Sequence, residues 1–255
     1  MAIRDAIAFV LFKPKSPGNI GAAARALKNM GFADLRLVAP ARFDAREAAA
    51  MAVHGGDILA RAGHYPDLAT AIADCTLSFG TTAHKGPYRS AARPIREAAQ
   101  ALVSESAANR IAIIFGPEDF GLTNDELKLC QRLLTIPSAP EYPSLNLAQA
   151  VIIVAYEIMM AARGTPESSK VEEYAAVPAV DAMFQRMARA LIEIGFLSAD
   201  NPDHIMYALR VLLGRCGLTT RELDILNGIA NQIGWFADGG RETLALKREA
   251  GKKFR

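Results

Sequence analysis

The chain has 255 residues, 51% of them hydrophobic, which suits one large α/β domain with a smaller appendage and excludes global disorder. Net charge is only +2, and the three cysteines, Cys75, Cys130 and Cys216, are scattered and outside any CxxC pair. That argues against a disulfide framework or a cysteine zinc site and fits a reducing cytoplasm.

Ile3 to Phe12 reads as a buried strand and KPKSPGN (residues 13–19) as a loop. The opening MAIRDAIAFVLFK lacks a signal-peptide cleavage site, and no uncharged apolar run reaches membrane-spanning length, so no membrane partner is expected. Ile20 to Met30 is an Ala-rich helix with Gly31 placed to close it, and Leu35 to Ala39 is a second strand stopped by Pro40. Asp44 to Ala62 and Pro66 to Ala73 have helical patterning, and Thr76 to Phe79 returns to strand. Gly80 to Pro94 is a long basic loop before a helix over Ile95 to Ser104. Ile111 to Phe115 is a fully apolar strand, followed by the turn GPEDFG and a helix from Asp125 with a Thr123/Glu126 capping box. Leu133 to Ile136 is strand, leading to a loop stiffened by Pro137, Pro140 and Pro143. The next helix is expected to open at Ser144, either as an ordinary N-cap or as part of a ligand loop at a helix N-terminus.

This alternation predicts a mostly parallel sheet covered on both faces, over residues 1–163. A polar linker is expected at 164–178, then a helical extension over 179–255. Its first stripe is Met183, Phe184, Met187, Leu191 and Ile194. The second, capped by Asn201 and Pro202, is Ile205, Leu209, Leu212 and Leu213. The third, behind a Thr219/Glu222 capping box, is Leu223, Leu226, Ile229 and Ile233.

Charge is uneven. Lys13, Lys15, Arg25 and Lys28 follow one another without an acid, as do Lys85, Arg89, Arg93 and Arg96; Lys247, Arg248, Lys252, Lys253 and Arg255 face only Glu249. One such run is ordinary solvated surface, but three in a nearly neutral chain make local fields that attract a polyanion. The histidines, His54, His64, His84 and His204, form no metal-ligand or triad pattern.

Three strand-to-helix transitions carry more special residues than a scaffold needs: Ser16 to Gly31, Phe115 to Leu122, and Ile136 to Asn146. Gly18 and Gly21 do not make GxGxxG, and Val38-Ala39-Pro40 offers no acid to hold a ribose, so a nicotinamide site is a poor match. Arg25, in AAARAL, must reach either solvent or an anionic partner.

In this order the segments resemble the SpoU branch of the SPOUT RNA methyltransferases, whose motifs NxGAxARA, FGxExxGL and SLNxAxA read here as Asn19 to Ala26, Phe115 to Leu122 and Ser144 to Ala150. PEYPSLNLAQAV, GLTNDEL and RELDILNGI extend the likeness over almost the whole chain, toward the TrmJ-type tRNA 2′-O-methyltransferases acting at nucleotide 32 of the anticodon loop. The resemblance implies a parallel sheet with a C-terminal trefoil knot, a homodimer, and tRNA as substrate with rRNA as the other possibility. It also implies S-adenosylmethionine held by Thr81, Thr82, Gly116, Pro117, Glu118, Gly121, Ile136, Ser144, Leu145 and Asn146. Arg25, Asn19, Glu118, Ser144 and Asn146 would carry catalysis, without a metal. Guanidinium is effectively always protonated, so Arg25 is expected to stabilise the developing alkoxide and anchor a phosphate, leaving the proton to Ser144 or water. Lys13, Lys15, Lys28, Lys85, Arg89 and Arg93 would meet the RNA. One departure stands out: where TrmJ-type proteins carry Arg-Glu-Arg, this chain has Pro117, Glu118 and Asp119. The competing reading is an RNA-binding protein on the same scaffold without catalysis, which would not turn the cofactor over.

Overall fold

The computed structural model describes residues 3–83, 86, 89–164, 172–215 and 217–240. Expectations for His84, Lys85, Cys216, residues 165–171 of the linker and the cationic tail lie outside these residues. The chain divides into two compact units, Met1–Val177 and Pro178–Arg255.

In the first unit the elements run α1 (Ile3–Ala6), β1 (Ile7–Phe12), α2 (Pro17–Met30), β2 (Asp34–Val38), α3 (Ala45–Ala52), α4 (Gly56–Ala60), β3 (Gly63–Tyr65) and α5 (Leu68–Ala71). They continue through β4 (Leu77–Thr81), β5 (Arg93–Pro94), α6 (Ile95–Glu105), β6 (Ile111–Phe115), α7 (Asn124–Leu127), β7 (Arg132–Thr135) and α8 (Leu147–Gly164). All pairings are parallel, in the order β3-β2-β1-β6-β4-β7-β5.

β1 and β6 pair at the centre, and every residue of both is buried, as a sheet covered on both faces requires. Their side chains alternate between two cores. Phe9, Leu11, Ile113 and Phe115 face α2, α6 and α8, while Val10, Phe12, Ala112 and Ile114 face Leu68, Ile72 and Leu127. Phe9 packs its ring against Phe32 at 5.1 Å and Phe115 at 6.2 Å between centroids. Truncating it to alanine is expected to cost ~3–5 kcal/mol.

Local chemistry sets the helix ends. Ser16 caps α2 through Asn19 N, and Gly31 closes it at φ 80° in the left-handed region, where only glycine sits without strain. Thr123 and Glu126 form the expected capping box on α7. Several elements of this unit differ from the sequence reading. Ile3–Ala6 is a helical turn before β1 rather than strand. The stretch expected as one helix breaks at Val53–Gly55, a 3-10 turn entered through Val53 at φ 50°. β3 and β5, only 3 and 2 residues long, had no periodicity to reveal them. α2 lies close enough to α3 that a Cβ on Gly21 would fall 1.9 Å from the Ala48 carbonyl oxygen.

Charged side chains cluster at the amino ends of the strands. Arg36, 4% exposed, donates to Asp34, Asp74 and the Ala71 carbonyl, and Arg110 bridges the same two aspartates. Asp34, Asp74 and Arg110 lie at or just before the starts of β2, β4 and β6. The network therefore sits at the end of the sheet opposite the strands' carboxyl ends.

The second unit contains α9 (Val177–Glu193), α10 (Asp203–Gly214) and α11 (Thr220–Trp235). Arg210 ties α10 to α9 through Asp181 and lies 4.5 Å from the Phe184 ring centroid. α11 opens on the Thr219/Glu222 box, whereas Pro202 makes no side-chain cap on α10. The apolar stripes are only partly inward: Met183, Phe184 and Leu223 are buried, but Ile194, Leu212 and Ile229 are exposed.

Candidate active site

Parallel strands present their carboxyl ends on one side, and ligands of such sheets bind just beyond them. β6, β4 and β7 are neighbours, so the loops leaving them converge. Between these loops lies an open cleft enclosing about 770 Å³ of space, part of it continuous with bulk solvent. Thr81, Thr82 and Ala83 line it from β4, and Phe115 to Asp119, Gly121 and Leu122 from β6. Leu134, Ile136, Pro143, Ser144, Leu145, Leu147 and Ala150 complete it between β7 and α8.

The β6 loop is a tight turn that admits no side chain at Gly116. A Cβ there would lie 2.3 Å from the Gly121 carbonyl carbon and 2.4 Å from the Leu122 nitrogen. Gly121 takes φ 67° and donates its N–H to the Pro117 carbonyl at 3.0 Å. Thr81 fixes the neighbouring strand end by donating to the Ile114 carbonyl, and the Thr82 amide donates to the Leu134 carbonyl.

Glu118 and two asparagines tie the three distant segments together. The Asn146 amide group donates to Asn19 Oδ1 at 2.9 Å, and Asn19 Nδ2 donates to Glu118 Oε1 at 2.8 Å. Glu118 also accepts the backbone N–H groups of Lys15 and Ser16. Partial burial alone would raise its carboxyl, but the Asn19 bond and these amides outweigh it and hold the group below the ordinary glutamate value.

α8 begins at Leu147, three residues later than the sequence suggested. Its cap is Asn146, whose Oδ1 accepts from Ala148 N at 2.9 Å and Gln149 N at 3.4 Å. Ser144 is therefore released from capping and stands exposed on the cleft wall. The sequence could not choose between two capping residues of similar strength so close together.

Of the ten expected cofactor contacts, nine line the cleft; Asn146 stands behind it, in the asparagine tie. Leu122, Leu134, Leu147 and Ala150 are further wall residues whose apolar character gave no signal beyond that of core. Arg25 is not on the wall. It lies on α2, exposed, without a hydrogen-bond or ion-pair partner among the described residues. A Cβ on Gly55 would meet the Arg25 backbone at 2.8 Å, so the Val53–Gly55 turn fixes where this arginine starts.

The cations are less free than their sequence spacing implied. Lys15 pairs with Asp119 and lies over the Phe120 ring, and Lys28 pairs with Asp57 at 2.7 Å. Arg89 turns toward the 122–124 segment, donating to the Leu122 carbonyl and Asn124 Oδ1. Lys13 and Arg93 are exposed. A stretch without acids in sequence thus acquires them in space, although exposed pairs of this kind exchange partners at little cost.

The profile of the SpoU rRNA Methylase family matches residues 6–156. The chain belongs to this family. A second profile, the C-terminal domain of tRNA methyltransferase TrmJ, matches residues 178–243 of the SpoU chain. The chain is 39% identical to the tRNA (cytidine/uridine/adenosine-2′-O-)-methyltransferase TrmJ of Pseudomonas aeruginosa, covering 96% of this chain and 98% of that protein. It is 35% identical to the tRNA (cytidine/uridine-2′-O-)-methyltransferase TrmJ of Salmonella typhimurium, over 89% and 96%. The crystal structure of TrmJ from Z. mobilis aligns with a TM-score of 0.75 at 33% identity, covering 89% of this chain and 98% of that one. In this SpoU protein the positive charge beside Glu118 comes from Lys15, paired to Asp119 across loops 104 positions apart.

Proposed function

We propose that this protein transfers a methyl group from S-adenosylmethionine to a ribose 2′-oxygen of tRNA, at nucleotide 32 of the anticodon loop, as a homodimer in the cytoplasm. The observation that carries the proposal is the meeting of three segments, around Asn19, Glu118 and Asn146, at one cleft in a chain whose full-length relatives are named tRNA 2′-O-methyltransferases.

The wall suits the cofactor's chemistry. Phe115, Leu122, Leu134 and Leu147 offer apolar surface for a purine, Thr81, Thr82 and Ser144 offer hydroxyls, and Glu118 and Asp119 offer carboxylates near a cation. When bound, S-adenosylmethionine supplies an electrophilic methyl group on a sulfonium. The rigid turn at Gly116–Gly121 and the proline-stiffened loop up to Ser144 hold the walls apart without needing to order on binding. Ser144 is placed to pass the ribose proton to water. Arg25 remains charged and acts by stabilising the developing oxyanion and holding an adjacent phosphate.

Because Arg25 is off the wall of its own cleft, we assign it to the cleft of a second copy. α8 supports a dimer by leaving Tyr156 44% and Met160 43% exposed. The trefoil knot remains part of the proposal, supported by the insertion of β7 between β4 and β5 under the converging loops.

Mapping ribose methylation in tRNA from a deletion strain tests the activity: loss of one 2′-O-methyl group, restored by the wild-type gene, is expected. Unchanged methylation, or a purified protein that binds tRNA without turning over S-adenosylmethionine, would leave the RNA-binding reading. Mixing Arg25→Ala with Ser144→Ala protein tests the shared site, since only mixed dimers with a site built across subunits regain turnover.

A further inference from the structure

The described residues include several large apolar side chains left exposed, among them Phe43, Met51, Val53, Tyr156 and Met160. Only Phe120 and Tyr142 directly adjoin, in the chain, residues that line the cleft. Phe120, 51% exposed, sits between Asp119 and Gly121; Tyr142, 78% exposed, precedes Pro143. Two of the three loops walling the cleft, those after β6 and β7, therefore each carry one exposed aromatic ring next to a lining residue.

These rings are held rather than loose. Lys15 Nζ lies 5.8 Å from the Phe120 ring centroid while pairing with Asp119. That cation lies beside a ring that keeps about half of its surface open to solvent. The Tyr142 amide donates to the Ala139 carbonyl at 3.1 Å, and Ser138 Oγ donates to the Pro143 carbonyl at 3.0 Å. An aromatic ring kept in water on a pre-formed loop serves neither core nor fold, and gains free energy only when something flat covers it.

We propose that Phe120 and Tyr142 form a base-stacking subsite that takes unstacked nucleobases of the single-stranded RNA segment whose ribose enters the cleft. The proposal deepens the methyltransferase reading and rests on it. A ribose in a stacked strand cannot enter a walled cleft unless its nucleotide leaves the stack, and its base then needs a new surface. Proteins commonly meet such bases with aromatic rings beside a cation for the phosphate. Lys15 supplies that cation here, since its exposed pair with Asp119 can yield to a phosphate.

The test uses the full-length protein with S-adenosylmethionine and tRNA, comparing Phe120→Ala, Phe120→Leu, Phe120→Trp, Tyr142→Ala and Tyr142→Phe. The alanine variants are expected to weaken tRNA binding about 5- to 150-fold each, the range for one base–aromatic stack. S-adenosylmethionine affinity and melting temperature should stay at wild-type values, and the aromatic replacements should bind tRNA like wild type. A tRNA lacking the base at the methylated nucleotide or its neighbour should bind wild type more weakly, and Phe120→Ala should then cost nothing further. Alanine variants within twofold of wild type, a leucine variant equal to wild type, or full sensitivity to Phe120→Ala on base-less RNA would each overturn the subsite. If wild type binds no tRNA at all, the methyltransferase reading falls first and the subsite with it.

Discussion

Asn146 performs two tasks that chemistry can separate. Its Oδ1 caps α8, and its Nδ2 holds Asn19, which in turn holds Glu118. Asn146→Ala removes both functions. The cap is worth ~1 kcal/mol, and an exposed hydrogen bond adds ~0.5 kcal/mol. A total of ~1.5 kcal/mol corresponds to a melting temperature lowered by roughly 3–6 °C in a unit of this size. Asn146→Asp behaves differently. Its carboxylate still accepts the Ala148 and Gln149 amides and gains from the positive end of the helix, so stability should stay within ~0.5 kcal/mol. It has no N–H for Asn19, however, and places one oxygen against another. Relieving that contact turns Asn19 and withdraws its donor from Glu118. Asn146→Asp should therefore melt like wild type yet lose about tenfold or more in S-adenosylmethionine affinity or turnover, the penalty of ~1.4 kcal/mol expected for one broken charge-assisted bond. Calorimetry on both variants reads the two effects independently. If Asn146→Ala melts like wild type, the cap is wrongly placed; if Asn146→Asp keeps full affinity and turnover, the tie does not hold the site.

Gly21→Ala should cost about 3 kcal/mol or more by overpacking against the Ala48 carbonyl, whereas Gly18→Ala, whose Cβ meets nothing nearer than 3.5 Å, should fold normally; urea denaturation distinguishes them. The hydrogen bond from Arg36 holds the Asp74 carboxyl at about 2, from 3.8. A depressed carboxyl contributes stability above its unfolded pKa of ~3.9 that is lost as pH falls toward the folded value. Unfolding should therefore steepen between about pH 4 and pH 2, and Asp74→Asn should flatten that limb while lowering stability at neutral pH. Arg25→Lys keeps the charge but not the planar fork, and should lose most of the turnover with S-adenosylmethionine affinity unchanged; near-normal turnover would remove the fork-specific role. Affinity for tRNA should fall steeply with added salt, since exposed cations release counterions on meeting phosphate; a flat response measured between low and physiological salt would exclude phosphate contacts at Lys13 and Arg93.

The sequence by itself determined the sheet's centre, since Ile7–Phe12 and Ile111–Phe115 are apolar on both faces and have no stable place except inside. It also determined the helix ends at Gly31, Thr123 and Thr219, because capping depends on residues within one turn. Its second and third motifs, Phe115 to Leu122 and Ser144 to Ala150, supply most of the residues that line the cleft. Tertiary structure alone decided which groups meet across long separations. Asn19 reaches Glu118 and Asn146 because β1, β6, β4 and β7 lie side by side, an order that no local pattern encodes. The same holds for the acids that pair with Lys15 and Lys28, for the Arg36–Asp74 network, and for the choice of Asn146 over Ser144 as cap. Hydrophobic periodicity reports which side of an element faces inward, whereas hydrogen bonds and ion pairs act over a few ångströms and exist only once the chain has brought their partners together.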